Sequence, residues 1–75
     1  MVILQFFNFF YFMKTGTVKF FNVTKGFGFI TPSNGDADIY VHNSGLSEEI
    51  REGDSVEYEA VQGRKGLEAV NVKLV

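Results

Sequence analysis

A chain of 75 residues without cysteine has room for one small domain, closed by apolar burial and backbone pairing, and it excludes a disulfide framework or a thiolate metal site. The formal charge of −2 argues at first against a polyanionic partner. Its distribution argues otherwise: up to Thr31 the chain carries Lys14, Lys19 and Lys25 and no acid, so the local potential there can be positive in an acidic protein.

Residues 1–12, MVILQFFNFFYF, are uncharged and rich in phenylalanine. The run is too short to span a bilayer, and it lacks the basic start and small-residue cleavage site of a secretory signal. Three readings stay open: an extension dispensable to the domain, an arm that packs on the domain or on another copy, and an interfacial contact with a membrane that lacks the usual basic face. The domain itself is expected over residues 14–75.

A first strand is predicted over residues 16–22, with Val18 facing the core and Lys19 the solvent. Phe20 and Phe21 are neighbours and cannot both obey period two, so a twist or bulge is expected at that pair. Residues 22–26 form a turn, with Asn22 and Gly26 suited to its dihedral angles. The second strand, 27–31, alternates sharply: Phe27 and Phe29 point to one face, Gly28 and Ile30 to the other. Pro32 to Asp36 is a loop around an Asn34-Gly35 turn. In the third strand, 38–43, Ile39 and Val41 make an apolar face and Tyr40 and His42 the opposite one. Residues 44–51 hold at most one helical turn, with Leu46 and Ile50 facing inward. The fourth strand, 54–61, sets Val56, Tyr58 and Ala60 against Glu57 and Glu59. A flexible basic loop, 62–66, carries Arg64 and Lys65, and the fifth strand is 67–74. Three strands, a crossing that is not a hairpin and then a hairpin give the order of an all-β, five-stranded Greek-key barrel with few open edges.

Two strands that bury aliphatic carbon on one side and display rings on the other make a stacking platform for unpaired bases. The segments GTVKFFN (16–22), KGFGFI (25–30), DIYVH (38–42), EGD (52–54) and AVNV (69–72), in this order and spacing, closely resemble the bacterial cold-shock domain over residues 14–75. The resemblance implies an oligonucleotide-binding (OB) barrel that holds single-stranded RNA and DNA on aromatic side chains. An RNA-recognition motif also has a KGFGF-like strand, but it would put its other aromatic strand earlier and needs two helices that this chain does not show.

By that resemblance the stacking side chains are Phe20, Phe21, Phe27, Phe29, Tyr40 and His42. Against it stands the need for core: among nine phenylalanines some must be buried. Phe20 occupies a position where the family usually has tryptophan, and keeps a π-face without the indole N–H. Lys19 and Lys25 are candidate phosphate or base contacts, with Arg64 and Lys65 as a mobile pair; simple solvation is the alternative for each. Asn22 and Asp38 either hydrogen-bond a base edge or serve their own turns, and for Asp38 the turn is favoured. His42 has no second ligand of matching type nearby, so neither metal nor cofactor is expected. The chain departs from the family at Asn43, where another phenylalanine is common, in the shortened loop Ser47-Glu48-Glu49, and at Leu67, which replaces a usual proline.

The expectation is a cytoplasmic, monomeric module that binds single-stranded RNA and DNA as an RNA chaperone or a regulator of transcription or translation. No membrane partner is expected, and residues 1–12 offer a route to self-association. The rival is a structural or protein-interaction barrel working through residues 1–12. An enzyme is not expected: the acidic residues lie on a loop and an alternating strand, with no nucleophile and base to accompany them.

Overall fold

The computed structural model describes residues 13–64 and 66–75. Five strands, β1 (Met13–Asn22), β2 (Phe27–Pro32), β3 (Ile39–His42), β4 (Ser55–Gly63) and β5 (Gly66–Leu74), close into a barrel in the order β1-β2-β3-β5-β4, with β4 returning to β1. The β3–β5 pair is parallel and the other four are antiparallel. This is the Greek-key barrel expected of an OB fold, and closure leaves no long sheet edge around the barrel wall. Among the described residues no helix is long and apolar enough to cross a membrane.

The core is built from period-two alternation. Val18, Ile30, Ile39, Val41, Val56 and Tyr58 are buried from four strands, Ala69 and Val72 from β5, and Ile50 from the β3–β4 connection. Phe21, Leu46 and Ala60 pack against them from its rim. The inward expectations for Leu46 and Ile50 hold, and the single turn expected within 44–51 is a 3-10 turn at Asn43–Gly45, starting one residue earlier because β3 ends at His42.

Other boundaries also move for identifiable reasons. β1 includes Met13 to Thr15 ahead of the expected Gly16, because Met13 to Thr17 pair with Glu59 to Ser55 of β4. The five-residue flexible loop expected over 62–66 contracts to a tight hairpin, with Gly63 paired to Gly66. Gly66 has φ 125°, a value that favours glycine and lets the chain reverse within two residues. The expectations for residues 1–12 and for Lys65 fall outside the described residues.

One irregularity places the rings. In the β1–β2 register Val18 faces Ile30, but Phe20 faces Phe29, so Lys19 is an extra residue in β1. Without it, Phe20 would share the inward parity of Val18. The bulge inverts the alternation: Phe20 joins Phe29 on the outer face, and Phe21 turns inward opposite Gly28. The bulge expected at the phenylalanine pair thus lies one residue earlier.

Candidate nucleic-acid interface

The outer face of β1, β2 and β3 carries a contiguous set of rings. Phe29 sits at its centre, 5.6 Å from Phe20, 6.3 Å from Phe27 and 5.9 Å from Tyr40 between ring centroids. Phe27 and Tyr40 lie nearly parallel, with 22° between their planes at 6.0 Å, and Phe20 meets Phe27 edge-on at 6.0 Å. These are the mutual geometries aromatic pairs prefer, so the rings support one another while their outer sides stay open. Phe20 is 37% exposed, and Phe27, Phe29 and Tyr40 are half-buried.

The other two expected stacking residues are placed differently from these four. His42 is exposed and stands opposite Phe27 in the β2–β3 register, extending the row. The Ser44 amide donates to His42 Nδ1 at 3.1 Å, so in the neutral ring Nδ1 is the acceptor and the proton sits on Nε2. Ser44 Oγ also lies 2.9 Å from Nδ1 and helps to fix the ring. Phe21 lies on the inner side, where its ring edge would be 2.7 Å from a Cβ at position 28. It packs against the core and is not part of the ring cluster.

Charge is arranged beside the rings rather than among them. Lys19, the bulge residue, reaches Asp38 just before β3, with Nζ donating to Oδ2 at 3.0 Å. Thr31 Oγ1 donates to the other carboxylate oxygen at 3.0 Å. The Lys19 and Thr31 hydrogen bonds hold the Asp38 carboxyl below the usual carboxylate range. Asp38 therefore ties β1 and β2 to the entry of β3, where a local turn was favoured. A signal for this tie was hard to find in the sequence, since Lys19 and Asp38 are 19 positions apart and join strands that are not neighbours in the barrel.

Asn22 does serve its turn. Its Oδ1 accepts from the Lys25 amide at 2.9 Å, and its carbonyl accepts from Gly26 at 2.7 Å. The turn so held presents Lys25, which is exposed. Arg64 is exposed at the tip of the β4–β5 hairpin, next to Lys65 in the chain. Among the described residues no group of three or more His, Cys, Asp or Glu side chains is placed to hold a metal.

The 'Cold-shock' DNA-binding domain family matches this chain over residues 14–75. The chain belongs to the cold-shock domain family. It is 46% identical over 67 residues to a cold shock-like protein CspA of Stigmatella aurantiaca, covering 84% of this chain and 98% of that one. To the major cold shock protein of Micrococcus luteus it is 48% identical over 64 residues, covering 80% and 96%. Among solved structures, Drosophila Unr CSD456 superposes with a TM-score of 0.70 at 26% identity, over 84% of this chain and 26% of that longer one. A copper-bound CusF variant from Escherichia coli gives 0.63 at 19% identity, over 85% and 90%, and shows the barrel fold alone. The family is one of binding domains and not of enzymes, and the exposed ring cluster is consistent with a nucleic-acid ligand.

Two features mark the far end of the row. The Asn43 side chain lies against Gly26, where the φ of 77° favours glycine and a Cβ would stand 2.9 Å from Asn43 Nδ2. The two glutamates of the short loop diverge. Glu48 Oε1 accepts from the Leu74 amide at 2.6 Å and so is drawn to the end of β5, while Glu49 borders a cleft of about 230 Å³ with Phe21, Asn43 and Leu46.

Proposed function

We infer that this chain binds single-stranded RNA and DNA by stacking unpaired bases on Phe20, Phe27, Phe29 and Tyr40, with His42 continuing the row. The observation that carries the reading is the bulge-dependent gathering of four rings on one sheet face, with their outer sides open. Bases in a duplex have no free π-face to offer, so the surface favours unpaired strands and shifts weak hairpins toward their open form by preferential binding. That is the action of an RNA chaperone or of a regulator of transcription or translation, carried out by a monomer in the cytoplasm without a cofactor. Lys19, Lys25, Arg64 and Lys65 supply the phosphate contacts, and Asn22 holds the turn that presents Lys25. Phe21 supports the platform from beneath by packing on Gly28.

The test is a titration of the purified chain with a short single strand and the matching duplex at two salt concentrations. The single strand should bind at least about tenfold more tightly, a gap of roughly 1.4 kcal/mol, and binding should weaken with salt. Equal affinity for the two forms would remove the stacking reading. Salt-independent binding, or none, would favour a barrel used for protein contacts.

A further inference from the structure

Resting on the platform reading above, we propose that Ser44 holds the His42 ring in one orientation and one tautomer, so that Nε2–H is a fixed hydrogen-bond donor to an oxygen of the bound strand. His42 then acts at the edge of its ring as well as across its face, and Ser44 is a positioning residue for that contact.

The backbone dictates the arrangement. β3 ends at His42, and the chain passes at once into the 3-10 turn at Asn43–Gly45, closed by the Leu46 amide donating to the Asn43 carbonyl at 3.2 Å. The Ser44 N–H, inside the turn, has no such partner there. His42, extended at φ −105° and ψ 152°, folds its side chain forward as the cap and accepts from it. An amide N–H can only donate, so the ring atom it meets is an acceptor. Turning the ring over would set a C–H against that N–H, and the Nδ1–H tautomer would set two donors face to face. Either change loses the bond. Ser44 Oγ, 2.9 Å from the same nitrogen, is a rotatable hydroxyl that gives Nδ1 a second donor. One residue therefore fixes both the orientation and the tautomer.

With Nδ1 turned to the chain, the proton sits on Nε2, across an exposed ring, and Nε2 has no hydrogen-bond partner among the described residues. The Gly26 carbonyl accepts from the Asn43 amide at 2.8 Å, which brings the turn carrying Lys25 alongside His42. A cation and a neutral donor thus stand on neighbouring segments at this end of the row, and both take an oxygen acceptor: a phosphate oxygen or a base carbonyl. Phe20, Phe27 and Phe29 present carbon alone, and stacking on them tolerates any base. A donor held in one direction gives the strand a point of register. Because the ring is ordered before the strand arrives, binding does not have to immobilise it.

The test is a double-mutant cycle between His42 and an oligothymidylate, kept to the shortest length that binds fully so that it cannot slide. A single methylphosphonate linkage removes the charged oxygen of one phosphate, and a single 2-thio- or 4-thiothymine weakens one carbonyl acceptor; each is placed at every position in turn. One replacement should weaken binding to the parent about two- to tenfold more than binding to His42→Phe, which keeps a ring without nitrogen. A coupled linkage assigns the acceptor to a phosphate, and a coupled thiocarbonyl assigns it to a base. The coupling should be equal at two salt concentrations, since a neutral donor releases no counterion. Ser44→Ala should lose part of it and Ser44→Thr, which keeps the hydroxyl, should restore it. Ring-nitrogen NMR of the free full chain in mildly alkaline buffer should find the proton on Nε2. The proposal is overturned by a proton on Nδ1, by coupling at no position, by coupling that fades with salt, or by Ser44→Ala leaving both coupling and ring spectrum unchanged. A lower melting temperature in His42→Phe without coupling would make the cap structural only. The platform reading fails separately, when Phe29→Ala binds the strand as the parent does.

Discussion

Phe29 and Ile30 are adjacent in β2 and face opposite ways, so truncating each in turn separates binding from stability. Phe29 has three ring neighbours within 6.3 Å but is only half-buried. A fully buried phenylalanine truncated to alanine costs about 3–5 kcal/mol, and half that burial suggests about 2 kcal/mol. Ile30 is 0% exposed, and its truncation costs about 2–5 kcal/mol. At about 4–8 °C per kcal/mol for a domain of this size, both variants lose roughly 10 °C or more in melting temperature, so a melt alone does not distinguish them. Binding does. Phe29→Ala removes the central stacking surface and should cost about 1–3 kcal/mol, or roughly 5- to 160-fold in Kd. Ile30→Ala leaves all four rings in place, and its Kd per folded molecule should stay within about 0.5 kcal/mol of the parent. The assay is anisotropy of a labelled single strand below both melting temperatures, with the folded fraction taken from circular dichroism. An unchanged Kd in Phe29→Ala, or the same loss in both variants, would refute the assignment of faces.

Two further outcomes follow from the same strands. A Cβ at Gly28 would collide with the Phe20 carbonyl oxygen and stand 2.8 Å from Phe21 Cα, where backbone cannot yield easily. Gly28→Ala should therefore destabilise the domain by about 1–3 kcal/mol, and a melting temperature within about 2 °C of the parent would show that the bulge absorbs the strain. The Lys19 and Thr31 bonds depress the folded-state pKa of Asp38, so its contribution to stability is complete above the ordinary carboxylate range and is lost as pH falls through the depressed value. The stability gap between the parent and Asp38→Asn should be widest near neutral pH and narrow in acid; a pH-independent gap would contradict the linkage.

The faces of β2 and β3 were legible in the sequence because the rings of Phe27, Phe29, Tyr40 and His42 alternate there with Gly28, Ile30, Ile39 and Val41, and period two needs no partner to be read. Phe20 and Phe21 were not assignable in that way. Which of them faces outward depends on the extra residue at Lys19, and that register is set by β1 and β2 together, through Gly28 and Phe21 sharing one space. Met13 to Thr15 were missed as strand because they have no apolar alternation; they are strand because β4 supplies the backbone partners. For Asp38 residue type favoured a turn over a base contact, whereas its partners come from residues 19 and 31. The hairpin at 63–66 looked flexible for its glycines, yet the left-handed φ that glycine allows makes the connection short.

On the proposed reading, the Lys19–Asp38 pair also sets how binding responds to salt. Each phosphate neutralised on a single strand contributes about −0.7 to the slope of log K against log salt, so Lys19, Lys25, Arg64 and Lys65 together would give about −2.8. Lys19 is not a spare cation, because Asp38 already holds it at 3.0 Å. To meet a phosphate it must leave the carboxylate, and Asp38 then recruits a cation from solution. The counterion released from the strand is offset by the one taken up at Asp38, and the expected slope falls to about −2.1. Asp38→Asn removes that offset. Its slope should steepen by about 0.7, with the gain in affinity greatest at low salt, whereas Lys19→Ala should give the same shallow slope with or without Asp38. The measurement is Kd against salt for the parent, both single variants and the double variant at neutral pH. A slope unchanged in Asp38→Asn would mean that Lys19 meets no phosphate even when freed from the carboxylate, and it would leave Lys25 and the hairpin tip to supply the electrostatic part of binding.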